Sequence, residues 1–246
     1  MRTLVTGGAG FLGSGVKSEH RAMKSFAMRA AAQTGVLLIP VALTFVAAGT
    51  IHYWQGWVFW LAFLGSSSAT GVYLIQHDRA LLARRMRVGP QAESRPRQKL
   101  IVALLFVMFV TLAIVPGLDY RFGWSHVPGA IVILANLVIV AMFGFFILVM
   151  RENNFAASTI TIEAGQHVVS TGPYAYVRHP MYAGALLMIF AMPLALGSWW
   201  GLLVAALACP LLVARILDEE RALSAELAGY DDYCRTVPYR LIPRVW

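Results

Sequence analysis

The stretch GQHVVSTGPYAYVRHPMYAG, residues 165–184, places a Gly-Pro turn, a His-Pro junction and three tyrosines side by side. Because His179 precedes Pro180, its backbone is biased toward an extended conformation, while Pro180 suits the first position of a helix. His179 is therefore expected at a helix mouth, where N–H groups and the positive dipole end can hold an anionic oxygen. Tyr174, Tyr176 and Tyr182 flank this turn, and their faces can pack a purine or sit near a cation. A membrane-interface belt would account for the tyrosines, and a topology anchor for Arg178. Neither accounts for the compact clustering of turn, His-Pro junction and tyrosine.

A second polar segment, RILDEERALSAELAGYDDYCRTVPYRLIPRVW, occupies residues 215–246. On a helix, Arg215 and Glu219 are four apart and share a face, where the guanidinium could meet an acidic group and the carboxylate a hydroxyl or amine. The plainer alternative is an exposed ion pair, worth only tenths of a kcal/mol. What favours a site is the possibility that Arg215 and Glu219 close one pocket with the His-Pro turn. Gly229 is expected to end the helix, and YDDYCRTVPYRLIP then reads as a capping tail.

The elements that must position these residues are set by hydrophobicity. The 246 residues are 59% hydrophobic and only 13% charged, with a mean hydropathy of +0.65. That balance points to a bilayer rather than water as the solvent. Charge-free stretches run over Ala30–Gln76, Leu100–Leu118, Val127–Met150 and Pro180–Ala214, and a spanning helix needs about 20 such residues. The aromatic cluster HYWQGW divides the first stretch into two spans. The last, with Pro193 and GSWW at Gly197–Trp200 near its middle, reads as a hairpin of two short helices. The expected fold is therefore all-α and polytopic, with about six transmembrane helices and a helical C-terminal tail.

Arginines and lysines test that count, because they collect on the cytoplasmic side. With six spans and a cytoplasmic N-terminus, the basic residues before the first span, between Arg79 and Lys99, at Arg151 and Arg178, and after Arg215 all fall inside, leaving only Arg121 outside. Both termini are then cytoplasmic. The net charge of +8 is mostly topological, with some attraction to anionic lipid, and nucleic-acid binding is disfavoured. Cys209, within a span, and Cys234, in the tail, suggest neither a disulfide framework nor a metal site. VGPQAESRPRQ, residues 88–98, reads as the obvious linker.

Residues 4–15, LVTGGAGFLGSG, carry glycines in G-x-G-x-x-G spacing and resemble the opening of the NAD-dependent epimerase and dehydratase family. A dinucleotide site needs the rest of a strand, turn and helix unit and an acid about 20 residues further on. After Glu19 the next acid is Asp78. Residues 1–28 are therefore expected to be an appended segment, a fusion remnant or a misplaced start with Met23 or Met28 as alternatives, poorly ordered or a short helix. Residues 29–246 form the membrane domain.

GPYAYVRHPMYAG followed downstream by DEERAL and GYDDYCRTVPYRLIPRVW resembles the isoprenylcysteine carboxyl methyltransferases and their relatives, the membrane phospholipid methyltransferases, over roughly residues 130–246. The resemblance implies a methyltransferase that uses S-adenosylmethionine without a Rossmann domain. By position, Gln166, His167, Val168 and Val169 would line the cofactor, with Tyr174 and Arg178 at the turn. His179, Pro180, Met181 and Tyr182 would form its main loop, and Glu219 would hold a polar end of the same molecule. Arg215 falls where the family places an arginine at the acceptor, so Arg215 and Glu219 are the candidate catalytic pair. Gln166 stands where relatives often have His, and either it or His167 could make that contact.

Such chemistry asks mainly for alignment of donor and acceptor and exclusion of water. A lipophilic acceptor would enter from the bilayer and the cofactor from the cytoplasm. An isoprenylcysteine-like or other isoprenoid carboxylate is the leading acceptor, oriented by Arg215 through paired hydrogen bonds; phospholipid amine and small thiol are alternatives. Richness in Ala, Val and Arg suggests a GC-rich bacterial genome and an inner-membrane location. The competing readings are a non-enzymatic membrane protein of the same fold and, last, an NAD-dependent oxidoreductase.

Overall fold

A computed structural model describes residues 38–155, 159 and 165–246. The chain divides into two compact units, Met1–Ala42 and Leu43–Trp246. Of the first unit, residues 38–42 are described and are helical. The glycine-rich stretch 4–15, and what was expected of residues 1–28, lie outside the described residues.

Among the described residues there are helices and no strands. A short apolar helix, α1, covers Leu38–Ala48. It is followed by α2 (Trp54–His77), α3 (Arg79–Arg85), α4 (Pro96–Phe122), α5 (Gly129–Glu152), α6 (Pro180–Ala195), α7 (Gly201–Glu226) and α8 (Tyr230–Thr236). Four of these, α2, α4, α5 and α7, are long and apolar enough to cross a membrane, while α1 and α6 are shorter apolar helices. At about 1.5 Å per residue, the 24 to 27 residues of the long helices exceed the roughly 30 Å of a hydrocarbon core. The protein is thus a polytopic helical membrane protein.

The breaks fall where the sequence places them. α1 and α2 part at residues 49–53, and Tyr53 sits at the N-cap of α2. α6 and α7 part at Gly197, whose φ of +78° is left-handed backbone that glycine adopts without a Cβ penalty. The hairpin arms are unequal, however. α6 has 16 residues and α7 has 26, so only the first arm is short. α7 continues past the apolar stretch into the charged sequence because nothing between Ala214 and Glu226 breaks a helix. Pro193 and Pro210 lie inside their helices rather than at the turn. α7 stops at Glu226 with Leu227 as its C-cap, and Gly229, in left-handed backbone, is the N-cap of α8 within the segment that reads from sequence as a capping tail.

In the second unit α5 packs on α6, α4 on α7, α2 on α5, and α6 on α7. Gly184 allows the α5–α6 approach, since a Cβ there would lie 2.6 Å from Phe146 Cε1. The end of the bundle away from the charged loops is fastened by polar bonds. Asp119 accepts from Ser125 N (2.7 Å), Ser125 Oγ (2.6 Å) and Ser198 Oγ, and the Tyr53 hydroxyl donates to the Leu196 carbonyl. Asn136, buried in α5, donates to the Val132 and Ala195 carbonyls. These bonds fix the turn between α6 and α7 and so the register in which their opposite ends meet.

Candidate functional site

That opposite end contains a cavity of about 320 Å³. Pro180 at the first position of α6 removes one N–H that would otherwise be unsatisfied; His179 before it is non-helical, as its junction with proline predicts, but with φ −124° and ψ 63° it falls short of fully extended backbone. The turn is pinned to the tail by backbone bonds from Arg178 N to the Tyr239 carbonyl (2.9 Å) and from His179 N to the Arg240 carbonyl (3.0 Å). Side chains repeat the connection. Glu220 accepts from Arg240 Nε (2.8 Å) and His179 Nε2 (3.2 Å) and pairs with Arg178 Nε (2.8 Å). Arg178 is thus a buried structural cation as well as a cavity wall.

All twelve positions that the family resemblance implies for the site line this one cavity. Gln166, His167, Val168 and Val169 form one wall, Tyr174, Arg178 and His179 the turn, and Pro180, Met181 and Tyr182 the first turn of α6; Arg215 and Glu219 face them from α7. Gln166 is half-buried and His167 exposed, the latter edge-on to Phe155 with ring centroids 5.6 Å apart. Tyr176 is the tyrosine left out, being 72% exposed.

Tyr174 is held from two sides. Asn153 Nδ2 donates to its hydroxyl (3.1 Å), and the Tyr233 hydroxyl donates to its carbonyl (2.7 Å). Burial pushes the Tyr174 hydroxyl up to about 12; the bond from Asn153 opposes this and the nearby Glu219 charge adds to it. Tyr174 is therefore a neutral phenol at any physiological pH. The tail wall is built by Leu227, Tyr230, Tyr233 and Val237, which pack with Val168 and Leu223.

Arg215 and Glu219, the candidate pair read from sequence, are joined through Tyr182. Arg215 Nε donates to the Tyr182 hydroxyl oxygen (2.9 Å), and that hydroxyl donates to Glu219 Oε2 (2.6 Å). Sequence reasoning leaves the outer nitrogens of Arg215 for an acceptor carboxylate. In the structure they meet protein groups instead: one donates to Gln98 Oε1 (3.0 Å) and the other to Glu93 Oε1 (3.0 Å).

The segment that reads as a linker therefore supplies support for the site. It contains a single 3-10 turn, Pro90–Ala92, followed by the buried Glu93 and Gln98. Their partners are more than a hundred residues away, so no local spacing marks them. Arg85 of α3 is a further cavity residue not singled out from sequence. Burial lowers its pKa, with Tyr174 and Tyr182 opposing.

A polytopic bundle with a polar cavity at its charged end defines a membrane protein that can take a water-soluble ligand beside the lipid phase. Residues 124–227 match the family model described as phospholipid methyltransferase, which bears out the resemblance for the segment containing the His-Pro turn, α6 and α7. Among curated proteins, the Delta(14)-sterol reductase TM7SF2 of Mus musculus is 34% identical over 91 residues, or 36% of this chain. The matched segment spans only 22% of that relative's length.

Proposed function

We propose that this protein transfers a methyl group from S-adenosylmethionine to a lipophilic acceptor at the membrane. The observation that carries the reading is the convergence of the His-Pro turn, Tyr182, Arg215 and Glu219 on one cavity within the segment that matches the family. The lining fits such a cofactor chemically. Glu219 offers a carboxylate for a cation, with Oε2 committed to Tyr182 and Oε1 making no hydrogen bond among the described residues. Tyr174, Tyr233 and His167 offer aromatic surface for a purine, and Val168, Val169 and Met181 an apolar wall.

When bound, S-adenosylmethionine supplies a methyl group already activated on a sulfonium. The protein then has to bind, orient and exclude water, for which well-placed reactants gain about 7–11 kcal/mol. Gln166, His167, Val168, Val169, Tyr174, Arg178, His179, Pro180, Met181 and Tyr182 would hold the cofactor, with Glu219 at its cationic end. Glu220 keeps the His179 ring and the Arg178 guanidinium fixed at the cavity wall.

An isoprenylcysteine-like or other isoprenoid carboxylate is the first acceptor reading, since a carboxylate needs no base to act as a nucleophile. Glu93 favours a second. Its carboxylate already occupies the edge of Arg215 that a substrate carboxylate would take, which suits an uncharged nucleophile such as a lipid amine. The proposed setting is a bacterial inner membrane with both termini and the cavity on the cytoplasmic side, where the arginines collect. Incubating the purified protein with methyl-labelled S-adenosylmethionine and a membrane lipid extract tests the function. Label in a lipid product is expected and identifies the acceptor class. Failure of folded protein to label any lipid would count against transfer.

A further inference from the structure

We propose that Glu93 and Gln98 are positioning residues for the cavity, setting the direction of a hydrogen-bond relay that ends on Glu219. The inference rests on the methyltransferase reading for its functional meaning, but the relay follows from donor and acceptor chemistry. The Asp218 carboxylate only accepts, so Gln98 must turn its amide nitrogen toward it, as the bond from Gln98 Nε2 to Asp218 Oδ2 shows. That leaves the Gln98 carbonyl facing Arg215, which only donates. Glu93, 4% exposed, takes the other outer nitrogen and neutralises the guanidinium. With both outer nitrogens engaged, Arg215 directs Nε to Tyr182.

The consequence lies at Tyr182. Its oxygen accepts a hydrogen bond from Arg215 Nε–H, so its own O–H is directed to Glu219 Oε2, 2.6 Å away. One carboxylate oxygen is thereby fixed, and the orientation of the other is set for whatever cation enters the cavity. Each bond in this chain is charge-assisted, which makes the arrangement stiff as well as directional. Glu93, between α3 and α4, and Gln98, in the first turn of α4, thus govern a carboxylate that neither touches.

The test is a double-mutant cycle on S-adenosylhomocysteine affinity, measured by calorimetry on the full chain in detergent. Glu93→Ala and Tyr182→Phe should each weaken binding about tenfold, and the double variant should also bind about tenfold more weakly rather than a hundredfold, because both break one relay. A purely structural role for Glu93 lowers thermal stability but leaves the affinity of the folded fraction unchanged, and that result overturns the proposal. So do fully additive losses. If Glu93→Ala is not recovered folded, Glu93→Gln carries the cycle: it keeps an acceptor atom and should cost about threefold in the native background and nothing beside Tyr182→Phe. Equal costs in the two backgrounds overturn the proposal. Folded native protein that binds no S-adenosylhomocysteine overturns the methyltransferase reading, and this inference with it; native binding that is indifferent to Glu93 overturns this inference alone.

Discussion

The Tyr182 hydroxyl donates to Glu219 Oε2 across 2.6 Å, joining the first turn of α6 to the charged end of α7 inside the cavity. Removing that hydroxyl strands two partners, Glu219 and Arg215 Nε. Tyr182→Phe should therefore lower unfolding stability by about 1–3 kcal/mol, the usual cost of leaving buried polar groups unsatisfied. Chemical denaturation in detergent measures it, and a stability equal to that of the native protein contradicts the assignment.

Glu220 is the counter-ion for three basic side chains drawn from the turn and the tail. Glu220→Ala leaves the buried Arg178 guanidinium without its carboxylate and beside the part-exposed Arg240, and loss of one partner from a buried pair costs about 3–5 kcal/mol. The expected result is a lower unfolding midpoint together with protease sensitivity after Val237, as the tail loses its attachment to the turn. A tail that stays protected would show that the backbone bonds at Arg178 and His179 suffice alone.

Packing between α5 and α6 depends on the absence of a side chain at Gly184. An added methyl would sit 2.6 Å from Phe146 Cε1 and 3.1 Å from Phe145 Cδ1. Gly184→Ala should destabilise by about 1–3 kcal/mol through overpacking. Tightening the site through the same contact is not expected, so ligand affinity per folded molecule should hold while the melting temperature falls.

Tyr174 makes a pH prediction. Its ionisation is raised from 10 to about 12 in the fold, so the folded state keeps a proton that the unfolded chain releases. The stabilisation this represents is fully present below pH 10 and is lost as pH rises through about 12. Comparing native protein with Tyr174→Phe should show a steeper fall in stability between pH 10 and 12 for the native chain. Parallel curves would mean that Tyr174 ionises as freely as in water. Tyr230 and Tyr233 are raised as well, by burial first, so the variant should flatten the fall rather than abolish it.

Much of the architecture is written locally. Long uncharged runs specify the spans, HYWQGW and GSWW specify the breaks, and the His-Pro junction specifies how α6 begins. The cavity residues cluster in two short segments, which is why their types and spacing identify them. Glu93 and Gln98 are different, because a polar, proline-containing stretch has the composition of a connector. Their burial depends on Arg215 and Asp218 from a distant helix, a relationship with no period to read. Glu219 and Glu220 are adjacent acids, but helix rotation sends the first to Tyr182 and the second to the tail, and only the packed structure separates their duties. The tail is expected to be helical, but the bounds of α8 are not legible because seven residues are too few for a helical pattern to stand out.

The most direct test of the central claim is titration of the detergent-solubilised full chain with S-adenosylhomocysteine, alongside NAD as the ligand of the competing oxidoreductase reading. Saturable binding of S-adenosylhomocysteine at one site is predicted, weakened by both His179→Ala and Glu219→Ala, with no response to NAD. Folded protein that ignores S-adenosylhomocysteine, or that binds NAD in its place, would contradict the account.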